Sequence, residues 1–244
     1  MSCQPGGDNQ VYIWSKNTQF CLLCDEPVDD AQPLCHPCEL DLPWLDGQCR
    51  VCALPLPVND QVCGACLKRP PAFDQVIVPW RYDFPLDSLV TRFKHRGKWP
   101  LGRLLAGRLA EHLQAAFGSG LPRPDRLLPV PLASRRLRER GFNQAALLAR
   151  WLGEELQLPV DARTLRRPQD TPAQQDLDAA ARRRNLRHAF ALDAGTALGG
   201  QHLALVDDVL TTGATAETLA RLLRRAGAAR IDVYCLARTP KPGD

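Results

Sequence analysis

The stretch Leu203-Ala-Leu-Val-Asp-Asp-Val-Leu-Thr-Thr-Gly-Ala-Thr-Ala-Glu-Thr-Leu219 decides the fold. Its apolar run Leu203–Val206 predicts a strand that is buried on both faces. Two acids and a Thr/Gly loop follow, and apolar residues then recur at helical spacing through Leu219, Leu222 and Leu223. The order of strand, loop and helix predicts an α/β protein.

The loop between this strand and helix has the composition of a phosphate site. Free N–H groups and the positive dipole end of a helix favour phosphate, and Gly213 lets the backbone approach a ligand closely. Asp207 and Asp208, at the end of the strand, could accept hydrogen bonds from a sugar diol or hold Mg²⁺ through water. These groups together predict a ribose 5-phosphate site. Hydroxyl groups beside the helix come from Thr211, Thr212 and Thr215.

The segment Val206–Thr215 resembles the phosphoribosyl-pyrophosphate (PRPP) loop of type I phosphoribosyltransferases. In that family two acids after a hydrophobic strand bind the ribose hydroxyls, and a TTGxT turn cups the 5-phosphate. The plainer interpretation, a buried strand with an Asp-rich turn and a Thr N-cap, needs only one acid and no Thr-Thr-Gly-x-Thr. The resemblance implies that the two acids are catalytic and that PRPP binds to Asp207, Asp208, Thr211, Thr212, Gly213, Ala214 and Thr215.

Length and composition predict a globular protein with one large or two smaller domains. The chain has 244 residues, of which 45% are hydrophobic, and a formal net charge of +4. Residues 1–20 are polar, and no apolar run of about 18 residues occurs in the chain. We therefore expect a cytoplasmic protein without membrane insertion.

Basic residues are concentrated in three places. Arginines cluster at Arg135–Arg140, around a predicted turn that leads into the helix at 142–156, and at Arg182–Arg187; a basic turn runs from Lys94 to Lys98. Such clusters suit polyanions, either pyrophosphate or nucleic acid. The alternatives are solvated helix faces for the arginine clusters and, for the turn, a helix C-terminus that favours cations and is closed by Gly97.

Eight of the ten cysteines form four Cys-x-x-Cys pairs whose first members are 14 residues apart. Four thiolates satisfy tetrahedral Zn²⁺, so eight cysteines predict two structural zinc sites. A disulfide framework needs an oxidising compartment, and redox chemistry needs one pair rather than four. Equal spacing leaves sequential, nested and alternating pairing open, with sequential pairing as the default. The predicted ligands are Cys21, Cys24, Cys35, Cys38, Cys49, Cys52, Cys63 and Cys66.

Three residues near or outside this set are not expected to ligate zinc or act as nucleophiles. His36 lies inside the second pair but is a bystander when all eight cysteines are available. Cys3 falls in a polar tail, and Cys235 has the setting of a buried strand residue.

We divide the chain into a disordered tail (1–18), a cysteine-rich double zinc-ribbon domain (19–69) and a phosphoribosyltransferase-like domain (73–240). Two prolines in Lys68–Ala72 mark the linker. In the last domain the patterns predict a mostly parallel sheet with helices on both faces. Strands are predicted at 74–83, 125–132 and 231–237, and helices from Pro85, at 101–117 and at 142–156.

A second resemblance is to the ComF/GntX competence-protein family, a phosphoribosyltransferase-like branch with an N-terminal cysteine-rich region. Val130–Leu132 followed by Arg140–Gln144 is similar to its signature, and Phe93–Gly97, Thr171–Leu177, Arg183–Asn185 and Ala189–Phe190 resemble further blocks. Where the family has a lysine after the TxxQ block, this chain has Gln175-Asp176. The resemblance implies a mobile loop over 171–185 that closes on a ligand, although an ordinary surface connection fits the same residues. The groups expected to face pyrophosphate or DNA are Arg135, Arg136, Arg140 and Lys94.

Two functions follow from these resemblances. The first is a PRPP-binding phosphoribosyltransferase that acts with Mg²⁺ and has a role in DNA uptake or in the use of DNA as a nutrient; no acceptor can be identified. The second is a non-catalytic module that binds single-stranded DNA through the same fold and the zinc ribbons. A zinc-dependent scaffold with a degenerate site is a third hypothesis, which the complete set of acids and threonines disfavours.

Overall fold

The computed structural model describes residues 19–28, 33–58, 61–168, 189–193 and 196–241. The chain divides into a smaller unit, Met1–Asp41, and a larger unit, Leu42–Asp244. The division into 1–18, 19–69 and 73–240 stays a prediction, and its tail lies outside the described residues.

The smaller unit is a short hairpin followed by one helical turn. Strand β1 (Gln19–Phe20) pairs antiparallel with β2 (Pro27–Val28), and helix α1 spans His36–Leu40. The turn after β1 carries Cys21 and Cys24, and Cys35 is the N-cap of α1. The hairpin and the helix therefore bring the first two cysteine pairs together.

The larger unit begins with a second cysteine turn and continues into a parallel sheet. The sheet strands run in the spatial order β3–β9–β8–β5, with β4 also paired to β9, and all these pairings are parallel. A separate antiparallel pair joins β6 to β7. The elements are α2 (Gly64–Lys68), β3 (Gln75–Ile77), β4 (Trp80–Arg81), α3 (Leu86–Arg96), α4 (Trp99–Gly118), β5 (Arg126–Pro129), α5 (Ser134–Arg140), α6 (Gln144–Leu156), β6 (Leu165–Arg166), β7 (Ala191–Leu192), β8 (His202–Leu210), α7 (Ala214–Arg225) and β9 (Arg230–Arg238).

The two nine-residue strands β8 and β9 form the centre of the sheet. Almost all of their apolar side chains are buried, as expected for strands covered on both faces. Alternate residues Leu203, Leu205, Ile231 and Val233 share a core with Leu219 of α7. Helix α6 packs against β5 and β8, and α4 packs against α6 and β9. The predicted α/β fold with a parallel sheet is confirmed.

Proline explains most differences between predicted and observed element boundaries. The segment predicted as one strand over 74–83 forms β3 and β4, separated at Pro79, and β5 ends at Pro129 although a strand was predicted to 132. Helix α4 begins at Trp99 because Pro100 fits the first helical turn. Helix α6 begins at Gln144 because the side chain of Asn143 caps it through the Ala145 N–H.

One local prediction is wrong. The arginine-rich segment after Leu132 was expected to be a turn, but Ser134–Arg140 forms helix α5. Gly141, with φ of 78°, ends this helix in the left-handed conformation. None of the described helices is long and apolar enough to cross a bilayer.

Candidate functional site

Strand β8 presents Asp207 and Asp208 at the carboxyl edge of the sheet. Each carboxylate accepts a hydrogen bond from the following backbone N–H: Asp208 N to Asp207 Oδ1 at 2.9 Å, and Val209 N to Asp208 Oδ1 at 2.6 Å. The strand continues to Leu210, so the acids lie within β8 and not in the loop after it. The carboxyl edge of a parallel sheet is where α/β proteins bind ligands.

Asp208 is buried and forms an ion pair with a lysine from another element. Lys94 Nζ, at the end of α3, lies 2.9 Å from Asp208 Oδ1, and the two side chains are 19% and 6% exposed. The second oxygen, Asp208 Oδ2, is buried and has no hydrogen-bond partner among the described residues. A buried carboxylate oxygen without a donor is costly, so this atom is poised to accept a hydrogen bond from a ligand.

Asp207 titrates near neutral pH. Burial and the adjacent Asp208 raise its pKa from 3.8 to about 7, although the Asp208 backbone N–H, Lys94 and Arg167 act in the opposite direction. The Arg167 guanidinium lies 5.2 Å above the ring of Phe190. Sequence reasoning did not identify Arg167, because its proximity to Asp207 arises only in the fold.

The Thr/Gly loop leads into a helix N-terminus that has no side-chain cap. Gly213 is the N-cap of α7 with φ of 73°, and Thr211 and Thr212 are exposed beside it. The one acid in the first turn, Glu217, bonds to the Ala72 N–H at 2.7 Å and to Arg221. The Ala214 N–H donates only a long hydrogen bond, 3.4 Å, to Thr212 Oγ1, so the first turn, which includes Ala214 and Thr215, is suited to phosphate.

Arg238 donates hydrogen bonds to the backbone at the start of this loop. Its Nη1 donates to the carbonyl oxygens of Leu210 (3.0 Å), Thr239 (2.7 Å) and Thr211, and its Nε donates to the carbonyl of Cys52 at 3.0 Å. The residue is 7% exposed. Sequence reasoning missed Arg238; the available signal was a charge that directly follows the apolar run Val233–Ala237.

Of the basic residues predicted to face pyrophosphate or DNA, only Lys94 has a described contact with the two acids. Arg140 is half-buried and donates to Gln144 Oε1 at 3.1 Å. Burial lowers the pKa of His95, and the charges of Arg140 and Lys94 lower it further, while the charge of Asp208 raises it. The other two predicted arginines lie on exposed positions of α5, where Arg135 pairs with Glu139 at 3.0 Å.

Asn143 forms hydrogen bonds both to the segment after β5 and to the start of helix α6. Its Nδ2 donates to the Val130 carbonyl at 3.1 Å, and its Oδ1 accepts from the Ala145 N–H at 3.0 Å. Through Asn143, the first of these bonds joins the two parts of the predicted signature, Val130–Leu132 and Arg140–Gln144. The predicted closing loop over 171–185 and the arginines at 182–187 lie outside the described residues.

The eight cysteines form two four-thiol clusters. Within each cluster the Sγ atoms lie within 4.8 Å of one another, and the Sγ atoms of Cys24 and Cys35, like those of Cys52 and Cys63, are 3.7 Å apart. A Zn–S distance of about 2.3 Å in a tetrahedron requires S···S separations of about 3.8 Å, so both clusters fit zinc. Sequential pairing is confirmed: the clusters are Cys21, Cys24, Cys35, Cys38 and Cys49, Cys52, Cys63, Cys66.

The thiol pKa of the first cysteine in each cluster is below its usual value. Burial raises the pKa of Cys21 and of Cys49, but backbone hydrogen bonds outweigh it and lower the pKa to about 6 and about 7. Thiolates are the zinc ligands. His36 is exposed and is not part of either cluster. Cys235 is fully buried in β9, and burial raises its pKa well above the usual value, as expected for an inert core thiol.

Comparison with solved structures finds distant neighbours. A glutamine PRPP amidotransferase from Bacillus subtilis matches with 21% identity and a TM-score of 0.35, over 55% of this chain but 25% of that chain. A purine phosphoribosyltransferase from Pyrococcus horikoshii matches with 19% identity and a TM-score of 0.37, over 60% of this chain and 79% of that chain.

The sequence comparisons are more specific. Residues 17–67 match the double zinc ribbon domain and residues 137–243 the phosphoribosyl transferase domain. The ribbon match and the two clusters support structural zinc. A DNA utilization protein YhgH from Salmonella typhi is 43% identical over 65% of this chain and 69% of its own length. Competence protein F from Haemophilus influenzae is 36% identical over 67% of this chain and 72% of its own length. The chain therefore belongs to the ComF/GntX competence-protein family of double zinc-ribbon, phosphoribosyltransferase-like proteins.

Proposed function

We propose that the protein binds PRPP or ribose 5-phosphate at the carboxyl edge of β8 and acts in DNA uptake or utilisation. One arrangement carries this proposal. Asp208 is buried and its Oδ2 has no hydrogen-bond partner among the described residues, and a few residues later α7 begins at an N-terminus without a side-chain cap. A diol donor satisfies the carboxylate, and a phosphate satisfies the helix N–H groups. Ribose 5-phosphate carries both groups on one molecule.

The remaining side chains have roles that follow from their charge. Asp207 and Asp208 accept hydrogen bonds from the ribose hydroxyls, and the loop from Thr211 to Thr215 surrounds the 5-phosphate. In this proposal Lys94, whose Nζ lies 2.9 Å from Asp208 Oδ1, and Arg140 neutralise the pyrophosphate. Mg²⁺ bound together with PRPP supplies further positive charge against the pyrophosphate.

In a transferase reaction, the bond between ribose C1 and the pyrophosphate oxygen breaks and its electron pair leaves with the pyrophosphate. A nucleophilic acceptor then donates a pair to C1. No protein nucleophile is needed, because catalysis consists of positioning and charge stabilisation. The acids and cations of this chain provide both.

The DNA role is supported by relatives and by surface charge. The relatives from Salmonella and Haemophilus are named for DNA utilization and for competence. Helix α5 exposes arginines that suit a polyanion. These exposed arginines also favour a second candidate, in which the fold is a non-catalytic module for single-stranded DNA and its phosphate loop holds a DNA phosphate.

Isothermal titration separates the two candidates. Zinc-loaded protein is titrated with PRPP and Mg²⁺, and in parallel with single-stranded DNA at two salt concentrations. A PRPP site predicts binding that Asp208→Asn abolishes and that Glu154→Gln, which removes one exposed charge on α6, leaves unchanged. Absence of PRPP binding beside salt-dependent DNA binding would leave the DNA module as the function. In that case Arg136→Ala and Arg140→Ala weaken binding, and the exposed Arg150→Ala on α6 does not.

A further inference from the structure

An exposed tryptophan begins helix α4 beside the candidate site. Trp99 is 52% exposed, and its ring centroid lies 6.3 Å from that of Phe142 in an edge-on arrangement. Phe142 in turn lies 5.9 Å from the buried ring of Phe93, which lies 6.0 Å from Trp151. The exposed indole is therefore the outer end of an aromatic row whose inner members belong to the core.

Local backbone geometry fixes the position of this indole. Gly97 ends α3 with φ of 59°, and its carbonyl accepts a hydrogen bond from the Trp99 N–H at 2.8 Å. One turn into α4, a Cβ at Gly102 would lie 2.5 Å from the Phe93 ring, so the helix packs closely on that ring. Trp99 is thus held in place by a turn and a packed helix, which is what a rigid stacking surface needs.

Positive charge approaches the aromatic pair from two separate segments. The first segment runs from Lys94 to Lys98 and leads directly into Trp99. The second is α5, which ends at Arg140 two residues before Phe142. The two segments come together in space, because the rings of Trp99 and Phe142, which follow them in the sequence, have centroids 6.3 Å apart. Two basic segments beside one aromatic pair carry more positive charge than one nucleotide can neutralise, so they favour a polyanion.

We propose that Trp99 and Phe142 form a stacking subsite for a base of single-stranded DNA, with the basic segments at the ends of α3 and α5 contacting the flanking phosphates. The proposal rests on the DNA-binding part of the proposed function and locates base binding at Trp99 and Phe142. Proteins that bind single strands combine aromatic platforms with cationic grooves, since every base has a π-face. A duplex does not fit, because its base faces are covered by their neighbours in the stack.

The test measures the affinity of the zinc-loaded full chain for a labelled oligothymidylate of about 15 nucleotides. Fluorescence anisotropy is recorded over a range of salt concentrations for the wild type, Trp99→Ala, Trp99→Phe and Phe84→Ala. Phe84 is a matched control: it is 75% exposed and precedes α3, whereas Trp99 follows this helix, which is about 16 Å long. Deoxythymidine monophosphate is titrated separately.

We expect Trp99→Ala to weaken oligonucleotide binding by about tenfold or more, and Trp99→Phe to retain most of the affinity. The dependence of affinity on salt stays the same in both variants, because neither loses a phosphate contact. Arg96→Gln with Lys98→Gln removes two cations and lowers the magnitude of the salt slope by about 1.4. Binding-induced quenching of tryptophan fluorescence decreases in Trp99→Phe, and Phe84→Ala behaves as the wild type.

Two outcomes overturn the subsite. If the wild type binds the oligonucleotide and Trp99→Ala binds it equally well, the base lies elsewhere and DNA binding itself stands. If Trp99→Ala loses only the mononucleotide, the surface serves a free nucleotide. Failure of the wild type to bind any oligonucleotide removes the subsite together with the DNA-binding part of the proposed function, whereas the PRPP titration is unaffected.

Discussion

Arg238 donates a hydrogen bond to the backbone carbonyl of Cys52, a cysteine of the second four-thiol cluster, at 3.0 Å. The same guanidinium donates to the carbonyls of Leu210 and Thr211 at the start of the Thr/Gly loop. One buried side chain therefore joins the backbone of a zinc cluster to the backbone of the candidate ligand site.

Replacing this guanidinium should loosen both ends of the connection. Arg238→Met keeps the apolar stem but removes the donors, so we expect the free energy of unfolding to fall by about 3 kcal/mol. Zinc should leave the second cluster faster while release from the first cluster is unchanged. Competition with a chromophoric chelator follows the two ions, and the exposed Arg225→Met serves as control. Equal release rates in Arg238→Met and the wild type would contradict the connection.

The ion pair between Lys94 and Asp208 predicts strong coupling between the two positions. Lys94→Met leaves a buried carboxylate without its cation, and we expect a loss of about 2 to 3 kcal/mol in the free energy of unfolding. Combining Lys94→Met with Asp208→Asn removes that charge, so the double variant should be more stable than the sum of the single effects by at least about 1 kcal/mol. Denaturant unfolding of the zinc-loaded variants measures the cycle. Additive effects would mean that the pair contributes nothing.

The raised pKa of Asp207 predicts how the free energy of unfolding changes with pH. Between about pH 4 and pH 7 the folded protein holds a proton that the unfolded chain has released. The free energy of unfolding therefore falls as pH rises through this window, by about 2 kcal/mol for a half-buried group. Asp207→Asn should remove this part of the dependence. Identical pH profiles of unfolding for wild type and variant would show that Asp207 ionises normally.

A substitution at Gly213 tests whether the Thr/Gly loop needs its left-handed backbone conformation. Gly213→Ala places a side chain at φ of 73°, which costs about 1 kcal/mol, although the new Cβ meets no atom of the described residues within 4 Å. We expect a matching loss in unfolding free energy and weaker PRPP binding. Gly107→Ala, inside α4 and equally unobstructed, should instead stabilise the helix by about 0.5 to 1 kcal/mol. A neutral Gly213→Ala would mean that the loop relaxes easily to another conformation.

The local parts of the fold and site could be predicted from the sequence, because their signals lie within a few residues of one another. The apolar run at 203–206, the acids, Gly213 and the apolar spacing through Leu223 specify strand, loop and helix together. The Cys-x-x-Cys pairs likewise indicate zinc. Their pairing required the structure, since a constant spacing of 14 residues is compatible with three arrangements.

The non-local parts could not be predicted. The contact of Lys94 with Asp208 depends on how α3 packs beside the sheet, and that of Arg238 with Cys52 depends on the path of the cysteine turn. Helix α5 was missed because four arginines in seven residues leave no apolar period to recognise. Aromatic contacts such as that of Trp99 with Phe142 join segments that are separate in the sequence.

A crystal structure of the zinc-loaded protein with PRPP and Mg²⁺ tests the central claim most directly. The account predicts the 5-phosphate on the N–H groups of the loop from Thr211 to Thr215, and a ribose hydroxyl within hydrogen-bond distance of Asp208 Oδ2. Crystals of Asp207→Asn/Asp208→Asn grown under the same conditions should lack the ligand. A ligand bound away from β8, or bound equally in this double variant, would contradict the assignment of the site.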